Sequence, residues 1–75
     1  MTEEERVKKI NEQSAIHIQD FFEQLEKNEI ESDDLLAITY AALTTAIILG
    51  YSPEALLEDA KKAATQIADI LQLDN

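Results

Sequence analysis

The sequence predicts an all-α protein: three antiparallel helices, over about 3–27, 33–49 and 53–72, in a small bundle. Three observations carry that expectation. Apolar residues recur at helical spacing through each stretch, a capping residue precedes each stretch, and the single Gly and single Pro both stand at helix boundaries. No run alternates apolar and polar residues as a half-buried strand would. Seventy-five residues amount to one small domain, 1–75.

The first helix opens at Thr2, where Thr2-Glu3-Glu4-Glu5 fits the S/T-x-x-E capping box. Glu3, Glu4 and Glu5 also place negative charge at the positive end of the helix dipole. At 100° per residue, Val7, Ile10, Ser14, Ile18, Phe21, Phe22 and Leu25 share one face roughly 120° wide. Phe21 and Phe22 are therefore read as core. That pattern carries the helix to about Lys27, and Asn28-Glu29-Ile30-Glu31 makes a short polar connection.

Ser32 is the expected second cap, with Asp33 and Asp34 in the first turn. Gly50 supplies the left-handed residue that ends the second helix. Ser52-Pro53-Glu54 starts the third, a cap followed by Pro at its preferred first position. Leu56, Ala60, Ala63, Ala64, Ile67 and Leu71 fall on one face of it, and it should fray near Leu73. Both connections are short, so successive helices should run antiparallel.

The middle helix differs from its neighbours in being apolar all round. On a wheel, Leu35, Ile38, Ala42, Ala46 and Leu49 form one side and Leu36, Tyr40, Leu43 and Ile47 a second. Ala37, Ala41, Thr44 and Ile48 form a third, and no side carries a charge. Two neighbouring helices can cover two sides. Leaving about 200 Å² of apolar surface wet on the third forgoes roughly 5 kcal/mol, comparable to the whole stability of so small a domain. Oligomerisation relieves that cost. The expected interface is Ile16, Ala37, Ala41, Thr44 and Ile48, with Ala37 and Ala41 letting a partner helix approach closely. Ile16 joins them because it stands alone among polar residues, nearly opposite the apolar face of its helix.

Charge bounds the partners. Sixteen Asp and Glu against six Lys and Arg leave −10, a balance that repels phosphate backbones and anionic lipid heads. Direct nucleic-acid and membrane partners are therefore not expected. Residues 20–34 hold Asp20, Glu23, Glu26, Glu29, Glu31, Asp33 and Asp34 against the single Lys27. Such a run is either a solvated face or a docking surface for a basic protein. The N-terminal residues lack the basic start and apolar stretch of a secretory signal, and the uncharged stretch 35–49 falls short of the roughly 20 residues of a membrane span. Both point to a cytoplasmic protein.

The inventory for chemistry is thin. There is no Cys, and His17, with Asp20 one turn on, is read as a boundary residue rather than a general base. A Glu-x-x-His metal pair fails because Ser14 stands three before His17. A calcium loop from Glu29 fails at Asp34, where Gly is needed, and at Tyr40, where Glu is needed. No catalytic residue, cofactor or metal is expected. The hydroxyls of Thr39, Thr44 and Thr45 are expected to bond back to the carbonyl one turn earlier.

The function expected is a binding module, an adaptor or inhibitor that acts as a homodimer or higher oligomer and docks on another, basic protein surface. Its size and acidity are those of acidic inhibitors carried by viruses and mobile elements, an analogy of composition alone. The alternative is an oligomer that sequesters a small ligand in pockets between subunits, around Tyr40, Thr44, Thr45 and Tyr51.

Overall fold

The computed structural model describes residues 2–72, which form three helices: α1 (Glu3–Glu26), α2 (Ser32–Ile48) and α3 (Pro53–Leu71). No strand occurs among the described residues. The expected fraying near Leu73 lies outside them.

Local chemistry fixes each boundary. The Glu5 backbone N–H donates to Thr2 Oγ1 at 3.1 Å, and the Thr2 N–H reaches back to Glu5 Oε1, so the capping box forms. The α1 terminus is a Schellman motif: Glu29 N–H donates to the Gln24 carbonyl at 2.8 Å and Asn28 N–H to that of Leu25. Asn28 takes the left-handed position, with φ of 60°, which Asn tolerates better than most residues. Gly50 does the same for α2 with φ of 105°, and Tyr51 N–H closes on the Ala46 carbonyl at 3.1 Å. The α2 start corrects the expected cap. Ser32 is already helical, and Glu31 is the extended residue whose N–H donates to Asp34 Oδ2 at 2.7 Å. An acid three residues into the helix wins because its carboxylate reaches back to an orphan N–H at the positive helix end. Ser52 Oγ caps α3 by accepting from Ala55 N–H, ahead of Pro53.

Gly50→Ala is expected to destabilise the chain by about 1–2 kcal/mol, read as a lower urea midpoint. A Cβ there meets nothing within 4 Å, so the whole cost is backbone conformation. An unchanged midpoint would mean that the left-handed turn is dispensable.

The principal helix pair is α1 with α3, and α2 approaches them closely at few points. The pair crosses. Residues 3–11 of α1 flank one groove with residues 56–66 of α3 and another with residues 66–70, while residues 14–22 open a third with residues 60–71. The two buried residues of the described chain stand one turn apart on α1, Asn11 at 4% exposure and Ala15 at 5%, and Asn11 marks the crossing. Asn11 Nδ2 donates to Gln66 Oε1 on α3. A small residue beside a self-satisfied amide pair is what lets the two backbones approach.

The shared core expected of a closed bundle does not form within one chain. Phe22, read as core, is 51% exposed, because α1 turns Asn11 toward α3 and carries Phe22 past that contact into an open groove. A folded monomer of 8.4 kDa exposes about 4,600 Å²; this chain exposes 6222 Å². Its radius of gyration, 13.6 Å, likewise exceeds the roughly 11.3 Å of a compact chain of this length.

Candidate functional site

Two surfaces stand out, one apolar and one acidic. The apolar surface is α2 itself. Only Leu35, Leu43 and Ala46 in this helix are half-buried, and no residue of it is buried. The expectation that α1 and α3 would cover two of its three sides is corrected. Ile38 and Leu49 on the first side, Leu36, Tyr40 and Ile47 on the second, and Ala37, Ala41, Thr44 and Ile48 on the third are all exposed. Ile48 reaches 78% and Leu49 73%. The close approaches between helices are mostly those of α1 with α3, and α2 meets either of them at few points. Ile16 is bare as well, so every residue of the expected interface is open to a partner.

The acidic surface is the α1–α2 corner. Asp20, Glu23 and Glu26 step along the last two turns of α1, Glu29 and Glu31 lie in the connection, and Asp33 and Asp34 open α2; all seven are exposed. Lys27 Nζ pairs with Glu23 Oε1 at 2.7 Å, and Asp34 is engaged in the cap. Asp33 and Asp34 sit where the helix dipole favours acids. Glu23 and Glu26 sit at the opposite kind of end, where it opposes them by a few tenths of a kcal/mol each. The pair with Lys27 offsets this at Glu23; no ion pair among the described residues does so at Glu26.

The other candidates part company. Of the three hydroxyls expected to bond back, Thr45 Oγ1 donates to the Ala41 carbonyl at 2.7 Å and Thr39 Oγ1 to that of Leu35 at 2.8 Å, while Thr44 makes no such bond. Ser14 Oγ does the same to Ile10. Thr45 and Tyr51 line one open groove with Ile38, Ala42 and Leu49, whereas Tyr40 and Thr44 are absent from its walls. The four residues of the alternative pocket are thus not brought to one place within the chain. His17 and Asp20 are both exposed, in no enclosed site. Among the described residues no three His, Asp or Glu side chains converge as metal ligands, and no helix is long and apolar enough to cross a membrane.

Sequence reasoning missed Asn11 and Gln66. Asn11 is polar and therefore drops out of an apolar-face count. Its position four after Val7 and four before Ala15 was the available signal, since that spacing places it on the seam. Comparison with family models, curated proteins and solved structures found no match.

Proposed function

We propose that this protein is a small acidic protein-binding module that works as a homo-oligomer, an adaptor or inhibitor that presents the α1–α2 corner to a basic protein surface. One observation supports it above the rest: a 17-residue helix whose stretch 35–49 holds no charge is left exposed around most of its girth. Isolated surface apolar residues are ordinary, but a continuous patch of that kind marks an association site. Self-assembly through Ala37, Ala41, Thr44 and Ile48 uses it, and leaves the acidic corner free to steer a basic partner. The thin inventory of nucleophiles, bases and metal ligands favours binding over catalysis.

Salt tests the partner half. The tagged chain, used to capture partners from its native cell extract, is expected to retain a basic protein at about 50 mM salt and to lose it at about 500 mM, where the Debye length falls below about 5 Å. The triple variant Glu23→Gln, Glu26→Gln, Glu29→Gln is expected to lose the same protein at low salt. Retention of the partner at high salt, or by the variant, would overturn electrostatic docking. Light scattering at micromolar concentration tests the assembly half: a species of 8.4 kDa would overturn it.

A further inference from the structure

Self-assembly leaves open what covers α2, and the fold narrows the answer. One α1–α3 groove is lined by Ser14, Ile18 and Phe22 from one helix and by Ala64, Ile67 and Leu71 among others from the second, and none of its lining residues belongs to α2. It holds about 490 Å³ and carries no charged side chain. In a chain with sixteen acids, this groove and the 35–49 stretch are matched uncharged surfaces.

We propose that the groove of one copy receives α2 of a second copy, and reciprocally, so that each three-helix core is completed in trans. The proposal rests on the self-assembly reading and specifies its geometry. Three observations favour this occupant over a face-to-face pairing of two α2 helices. Pairing α2 on α2 covers one side of each and leaves Phe22, Ile18 and Leu71 in an open groove; reciprocal seating covers both surfaces with one two-fold contact. The groove follows α3 over residues 60–71, about 16 Å, and so takes about two thirds of α2, which at 1.5 Å per residue is about 25 Å long. The area agrees. The surface exposed beyond that of a compact monomer is about 1,600 Å² per chain, above the roughly 800 Å² per partner of a standard stable interface.

Small residues face each other in this arrangement. Ala60, Ala64 and Ala68 recur every fourth position in the groove, and Ala37 and Ala41 do so on α2, so the helix axes can come close while the larger side chains fill the flanks. Charge permits it as well. Two copies at −10 repel, and contact between uncharged surfaces buries no carboxylate.

The chain lacks Cys, which makes the test clean. Single variants Ala41→Cys, near the middle of α2, and Ala64→Cys, near the middle of the groove, are mixed in equal amounts and oxidised, and the linked peptides are identified by mass spectrometry. Central positions serve whichever way the incoming helix runs. The 41–64 link is expected to exceed the 41–41 and 64–64 links by at least tenfold. Ala37→Cys mixed with Ala68→Cys repeats the measurement for an antiparallel helix and mixed with Ala60→Cys for a parallel one, and circular dichroism checks that each variant keeps its helix content. A dimer in which links between identical positions dominate in every mixture overturns trans seating while self-assembly stands. A chain that sediments as a monomer at micromolar concentration overturns both.

Discussion

Raising the chain concentration from about 1 µM to about 100 µM is expected to raise the thermal unfolding midpoint by on the order of 10 °C. The reasoning starts from what a single chain buries. Only Ala15 and Asn11 are buried among the described residues, and neither brings a large apolar side chain out of water. The interior of one copy therefore supplies little of the hydrophobic stabilisation that must offset chain entropy, about 1–2 kcal/mol per residue for the backbone alone. The proposed association would contribute the remainder, and a folded state held by association responds to dilution by mass action. A hundredfold change in concentration is worth about 2.7 kcal/mol. Ile48→Glu places a charge at the most exposed large apolar position of α2, where Ile48 is 78% open in one chain. That variant is expected to shift the midpoint down by a similar amount and to require higher concentration to regain it. A midpoint that is flat with concentration in the unsubstituted chain would show that one copy folds on its own strength.

The three helices were legible in the sequence because their signals are local. Thr2 with Glu5, Gly50, and Ser52 with Pro53 each satisfy backbone groups within a few residues, so their outcome does not depend on the rest of the fold. The Glu31 start of α2 was misread for a reason of the same range: two candidates stood side by side, and the reach of Asp34 decided between them. Packing was less legible. A helical wheel shows which residues share a side but not which neighbour meets that side, and it omits polar residues from the seam. The Asn11–Gln66 bond joins positions 55 apart, and no local rule points to it. Among the site residues, the exposure of Ala37, Ala41 and Ile48 followed from the uncharged wheel of α2. That Ile38, Leu36 and Leu49 are exposed too goes with the few points at which α2 meets α1 or α3, which the wheel does not contain. Trans seating would explain why so apolar a helix persists in this fold: its uncharged girth suits a buried environment that one chain does not provide.

Ala15→Leu is expected to cost about 1–3 kcal/mol, because it enlarges a buried position one turn along α1 from the Asn11 contact with α3. Ala15 is 5% exposed and lies one turn beyond Asn11, whose amide is joined to Gln66. Three further heavy atoms there must push the helices apart, and separation both stretches that amide bond and widens the groove. Comparison with two milder changes isolates the cause. Ala15→Gly keeps the space and changes helix propensity, for a loss of about 1 kcal/mol. Asn11→Ala removes one partner of the amide pair while Gln66, itself exposed, can turn to water, so the loss stays near 1 kcal/mol. The expected order of urea midpoints is the unsubstituted chain highest, Ala15→Gly and Asn11→Ala next, and Ala15→Leu lowest, each at one fixed concentration so that association does not mask the difference. Helix content should survive in the folded baseline of all three, because the caps of α1 and α3 at Thr2, Lys27, Ser52 and Gln72 lie at least a full turn from Asn11, Ala15 and Gln66. An Ala15→Leu midpoint at or above that of Asn11→Ala would mean that the helices already stand far enough apart for leucine, and would remove the close approach beside Asn11.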